Sequence, residues 1–285
     1  MPRNDLASAE TGIRTGTTST REAIITPEQI YAAIADVLDP ELDETLVKLG
    51  FIDSVRVDGP DVTVVFKLPT FWCAPNFAYL MAADLRSRLR TLPGVRATSV
   101  VLLDHFAEEE ISSGINRGLS FGEAFPEDAC DEDGANLEEL RRTFLRKGFL
   151  MRQDTLLRKL LQAGLDEAAI LNLRVADLIV DELADAAFVT APGGVVRLDK
   201  AGRSSMLYLR KGKLLGLAQG EQERLIIDDE GRPIPPGGLK DFLRRSRSVR
   251  MNILFNTSLC KGLFQTRYGP SQSTAASEAD EGENV

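Results

Sequence analysis

The sequence predicts an α+β protein: a small two-layer α-β-β-α-β domain at residues 25–106, then a mostly helical region with a β-hairpin at 107–270. Three observations predict it. Helical-period apolar patterns flank two β-branched runs, a Gly-Pro turn separates those runs, and after Phe106 the chain changes to long, charge-rich helical stretches.

The elements follow in order. Residues 1–24 are rich in Thr, Ser, Gly and Ala without periodicity, which predicts a disordered tail; residues 271–285 read the same way, with an acidic end. Thr26-Pro27-Glu28 opens a helix, with Thr as cap, Pro in the first turn and an acid at the positive end of the dipole. Ile30, Ile34, Val37 and Leu38 carry its apolar spacing. Asp39-Pro40-Glu41 stops it, because a residue before proline leaves the α region. FIDSVRVDG and DVTVVFKL read as a hairpin turning at Asp58-Gly59-Pro60-Asp61. PTFWCAP is a tight loop. A helix follows from about Pro75 to Leu92, with Phe77, Leu80, Met81, Leu85 and Leu89 facing inward, and ATSVVLLDHF is a third strand.

Beyond it, AEEEISSGINRGLSFGEAF predicts a short helix and a turn, EDACDEDG an acidic loop, and Leu137 to Gly164 a long helix with a basic outer face. A second helix follows Gly164, and AAFVTAPGGVVRLD forms a hairpin. Met206 to Tyr268 reads as a mixture of short strands, helix and the turn RPIPPGG.

Composition narrows the function. Hydrophobic residues at 43% and charged residues at 27% suit a water-soluble chain with a real core. The net charge of −9 disfavours nucleic acid and anionic membranes as partners. No apolar run approaches the about 18 residues of a bilayer span, and the first residues lack the apolar centre of a secretory signal, so a cytoplasmic location is expected. Three scattered cysteines and no CxxC pair argue against a disulfide framework. With one histidine in the chain, a closed four-ligand metal site is short of ligands, so a soft-metal site would be open, transient or shared between subunits. No GxGxxG, P-loop, GxSxG or HExxH pattern occurs, which removes the readily recognised nucleotide and hydrolase classes.

Cys73 is the leading candidate, in the loop that opens a helix. Free N–H groups and the helix dipole there favour a thiolate, which is both nucleophile and metal ligand; the competing reading is a small packed hydrophobe. Asp39 and Glu41 flank a rigid proline and could bind a cation or simply shape a solvated turn. His105, with Glu108 and Glu109 close behind, offers a borderline metal set, against the plainer reading of a hydrogen-bonded histidine. Cys130 reads as exposed and Cys260 as packed, both without a role. The basic stretches Arg141–Lys159 and Leu239–Arg250 could meet nucleic acid, with 152–198 as a winged helix, or could dock on the chain's own acidic segments.

DPELDETLVKLGFIDSVRVDG, VTVVFKLPTFWCAPNF and LRTLPGVRATSVVL together resemble the iron–sulfur cluster assembly family that includes SufT and PaaD. The shared features are the Asp39-Pro40-Glu41 turn, the Leu49-Gly50-Phe51 step, the loop from Thr70 to Pro75, and the Leu92-Pro93-Gly94-Val95 turn. They span roughly residues 25–105, and the chain has Cys73-Ala74-Pro75 where the family has Cys-Pro. The resemblance implies a cytoplasmic maturation factor, not an enzyme, that carries iron or an iron–sulfur cluster transiently. Cys73 would be the ligand and Asp39 or Glu41 would assist; on the residue pattern alone, His105 and Glu109 would be further metal ligands. A cluster would sit between two copies of the chain or between factor and client. The long C-terminal part resembles extended members from actinobacterial operons for di-iron monooxygenases, which makes such an enzyme the expected client and 107–270 the client-binding part. A metal-free adaptor for oxygenase assembly and a winged-helix regulator are the other two readings.

Overall fold

The computed structural model describes residues 25–126, 133–217 and 220–269. The expected tails and Cys130 lie outside these residues.

Helix α1 (Pro27–Ile34) opens with a capping box, in which Thr26 and Gln29 satisfy each other's backbone N–H. It stops earlier than its apolar spacing implies. Leu38–Asp39 is instead a short strand, β1, paired with β2 (Glu44–Thr45), and Asp39-Pro40-Glu41 forms the turn between them. The short helix α2 (Leu46–Leu49) then leads into the hairpin β3 (Ile52–Asp58) and β4 (Asp61–Lys67). Its two-residue loop needs a positive φ, which Gly59 supplies at +57°. Helix α3 (Pro75–Arg90) crosses over to β5 (Ala97–Leu103), parallel to β4, in the sheet order β3-β4-β5. The alternation in β4 buries Val62, Val64 and Phe66. With Val100 and Leu102 of β5 they pack into one core with Ile30, Ile34, Ala78, Leu85 and Leu89 from α1 and α3.

That core continues past Phe106. Ala107, Ile111 and Ile115 on and before α4 (Glu108–Arg117), and Phe125 after α5 (Phe121–Ala124), belong to it. Helix α6 (Asp133–Gln162) runs 30 residues, about 45 Å at 1.5 Å per residue. A second core forms around it from α7 (Glu167–Asn172), a three-stranded antiparallel sheet of β6 (Leu178–Asp181), β7 (Ala186–Ala191) and β8 (Gly194–Asp199), and α8 (Gly202–Leu215). Phe149 and Tyr208 stack at its centre with centroids 4.9 Å apart. Gln153 Nε2 donates to the Tyr208 hydroxyl and to the Ile227 carbonyl, which tie α6 to α8 and to the connection after it.

The short strands expected within 206–268 are absent among the described residues. The segment is α8, an irregular connection with single bridge pairings, and α9 (Leu239–Tyr268). The turn residues of RPIPPGG break the chain without joining two strands.

Helix α9 ties the halves together. Leu239 and Phe242 at its start sit in the second core, whereas Phe264 near its end sits in the first, 5.1 Å from Phe51 between ring centroids. A buried ion cluster reinforces the junction: Asp43 accepts from Arg152 at 2.7 Å and pairs with Lys211 at 2.5 Å. Gly148 makes room for it, since a Cβ there would lie 2.8 Å from Asp43 Oδ1. Other basic residues of this region also meet the chain's own acids: Arg141 grips Asp84 with two bonds, and Arg158 and Arg250 both reach buried Asp154. Among the described residues no helix is long and apolar enough to cross a membrane.

Candidate functional site

Cys73 lies at the end of the β4–α3 loop, just before the helix it was expected to open. Ala74 is the cap residue and Pro75 the first helical position of α3. Alanine has no side-chain oxygen to cap the helix, and in the first turn the Phe77 N–H donates to Asn76 Oδ1 at 2.8 Å. The thiol is half-buried, and its Sγ lies 3.1 Å from the Thr70 hydroxyl. The residue packs against the first core while staying partly exposed.

The loop is pinned from behind. His105 Nε2 meets the Cys73 carbonyl at 2.7 Å, and the Ala107 N–H donates to His105 Nδ1 at 3.1 Å. Because Nδ1 accepts, Nε2 carries the proton and donates. Burial holds the imidazole below its ordinary titration range, partly offset by the bond to Cys73 and the nearby Glu108 carboxylate. Both ring nitrogens are thus engaged inside the protein, and His105 orients the Cys73 backbone; ligation of a metal would have to break one of these bonds. Glu108, not Glu109, reaches His105, accepting from its backbone N–H at 3.4 Å. Glu109 is exposed on the first turn of α4.

A second tie runs from the Phe106 N–H to the Phe71 carbonyl. It sets Phe71 and Phe106 side by side with centroids 6.3 Å apart. Both rings are about half exposed, and Trp72 beside the cysteine is 75% exposed. The exposed rings form an open aromatic collar on and beside the Cys73 loop. Asp104, which precedes His105, takes a positive φ of 58°, and Arg267 of α9 donates to its carbonyl.

The acidic turn is built differently from its two carboxylates. Asp39 is buried, and its Oδ1 accepts from the backbone N–H of Glu41 and Leu42 at 2.9 and 3.0 Å. Burial pushes its carboxyl up to about 7, against the opposing pull of those two bonds. Glu41 is only partly buried and accepts from Asn256 of α9 at 3.4 Å, while Thr257 donates to the Leu42 carbonyl.

Those contacts lay α9 across the turn, and one helical turn after Asn256 comes Cys260. Its thiol is pushed up to about 11, first by burial and then by the charges of Asp39, Cys73 and Glu41. Cys260 and Cys73 pack on the same core. Cys260 therefore shares the neighbourhood of the three residues singled out from sequence, although its own sequence context reads as packing. The available signal is the spacing of Asn256, Cys260 and Phe264, four residues apart on one helix face. Among the described residues, no three His, Cys, Asp or Glu side chains converge closely enough to hold a metal ion.

A family comparison covers the segment that holds Asp39, Glu41 and Cys73. Residues 27–102 match the family model described as iron–sulfur cluster assembly protein. An uncharacterized protein of Methanocaldococcus jannaschii, MJ1129, is 32% identical over 91 residues, which cover 31% of this chain and 93% of that protein.

Proposed function

Since the chain belongs to the iron–sulfur cluster assembly protein family through residues 27–102, we propose that it matures a metal centre on a client protein, using Cys73 as the residue that holds iron or a cluster in transit. The observation that carries this reading is the state of Cys73. It is half-buried, in a loop fixed by His105, just before a helix whose cap residue, Ala74, has no side-chain oxygen. A thiolate with open coordination positions around it can receive a metal and surrender it, which a closed four-ligand site does poorly. Asp39 and Glu41 assist by placing carboxyl groups in the same neighbourhood. The cargo is substrate, not a resident cofactor, and the chain catalyses no bond-making reaction of its own.

The aromatic collar of Phe71, Trp72 and Phe106 gives the client a surface to meet. Apolar rings exposed beside the transfer atom lower the local dielectric once a partner covers them. The long second half, in the manner of the extended members of the family, recognises the client, for which a di-iron monooxygenase is the leading candidate. Likeness to SufT and PaaD supports the same reading. Reconstitution of the purified chain with ferrous iron and sulfide, without oxygen, tests it. Visible cluster absorption in the wild type and its loss in Cys73→Ala is the expected result; equal absorption and equal client activation by Cys73→Ala would overturn it.

A second reading, a metal-free adaptor, draws on α9, where Met251, Leu254, Phe255, Leu259 and Leu263 form an exposed apolar ridge at helical spacing. It predicts that Cys73→Ala activates the client normally, whereas Phe255→Asp does not.

A further inference from the structure

Within the family domain Cys73 is the single cysteine, and one thiolate is a weak holder for any thiophilic ion. The second half of the chain changes that. Helix α9 begins in the second core, crosses the junction and ends against the first, fixed there by three independent contacts. Asn256 bonds Glu41, Phe264 packs on Phe51, and Arg267 donates to the carbonyls of Leu68 and Asp104 on either side of the Cys73 loop. Cys260 lies between the first two of these, one turn from each. Like Cys73 it is partly buried, and it packs on the same cluster. Asp39, in the turn that Asn256 and Thr257 contact, is a buried carboxyl whose hydrogen bonds from described residues both fall on Oδ1.

We propose that Cys260 is the second thiol of the Cys73 site, so that one chain offers a dithiol pair, drawn from both halves of the fold, to a thiophilic divalent cation or to one iron of a cluster. The proposal rests on the reading of Cys73 given above and deepens it. Binding displaces the two thiol protons to solvent, and the cation takes two Cys–S⁻ ligands. With no third His, Cys, Asp or Glu converging among the described residues, the other positions stay open. A second copy of the chain or the client would fill them, as a carrier that must release its cargo requires. The arrangement also assigns α9 a role beyond docking, because it couples occupancy of the site to the position of a helix rooted in the second core.

The test uses the full chain, reduced and free of oxygen, with Cd²⁺ as the probe, because thiolate-to-metal absorption per bound ion counts the sulfur ligands. The expected result is that Cys260→Ser and Cys73→Ser each lose about half of the wild-type intensity per bound ion while Cys130→Ser keeps it. Full intensity in Cys260→Ser with loss in Cys73→Ser would overturn the dithiol alone; full intensity in both would overturn the Cys73 reading as well. Should Cys260→Ser fold poorly, the wild type decides: bound Cd²⁺ is expected to slow alkylation of Cys73 and Cys260 alike, and protection of Cys73 alone would refute the proposal.

Discussion

Asp39→Asn isolates the most strained charge in the candidate site. Asparagine keeps the shape of the side chain and the oxygen that accepts from Glu41 and Leu42. It removes only the ionisation. The carboxyl ordinarily titrates at 3.8 and is held at about 7 in the fold, with burial as the main cause. Such a displacement corresponds to about 4 kcal/mol, at 1.36 kcal/mol for each tenfold change in proton affinity. The sign follows from linkage. The folded value lies above the unfolded one, so the contribution is fully present below about pH 4 and is lost as pH rises towards 7, where the fold must bury an ionised carboxylate. The wild type is therefore expected to lose stability relative to Asp39→Asn across pH 4 to 7, by several kcal/mol in total, with no further divergence above it. Urea unfolding of both proteins at half-unit pH steps reads this directly. Parallel stability curves would show that Asp39 is ionised and solvated in the native protein, and the account of the acidic turn would be wrong.

Other outcomes follow from the same contacts. His105 titrates below its ordinary 6.5, so its contribution is present above that value and lost as pH falls; in the Asp39→Asn background, stability should decline below pH 6.5 and His105→Gln should flatten the decline. A Cβ at Gly148 would strike Asp43 Oδ1 and Lys211 Nζ, so Gly148→Ala is expected to cost about 3 kcal/mol by splitting a buried ion cluster; a urea midpoint unchanged within error would contradict the packing. Phe264→Ala should cost about 3–5 kcal/mol and speed alkylation of Cys73, which mass spectrometry can follow, since Phe264 anchors α9 on Phe51. Trp72→Ala, at an exposed position, should change stability by no more than about 0.5 kcal/mol; a melting point lowered by many degrees would make Trp72 a packing residue and remove it from the collar.

Much of the first domain was legible because its signals are local. The Thr26 cap, the Gly59 turn, the alternation in β4 and Pro75 at the start of α3 are each decided within a few residues of chain, and the fold adopts all four. The place of Cys73 before that helix follows from the same short-range logic. The stop of α1 was less clear, because Val37 and Leu38 continue a helical spacing; the pairing of Leu38 with Thr45 decides it. The segment 206–268 misled because Pro and Gly mark a break in the chain without saying what stands on either side.

By itself, then, the sequence determined an α+β protein, the elements of its first domain and a cysteine presented at the mouth of a helix. Only the tertiary structure decided that His105 spends both nitrogens bracing that cysteine, that Glu108 and not Glu109 attends it, that Asp43 is neutralised by Arg152 and Lys211, and that Cys260 joins the acidic turn. The physical reason is the same for each. A periodic pattern states which face of an element avoids water, but burial is non-directional and does not say which distant surface will cover that face. Charge pairs and thiol neighbourhoods depend on that choice, and Asp43 meets Arg152, as Glu41 meets Asn256, across more than a hundred positions of chain.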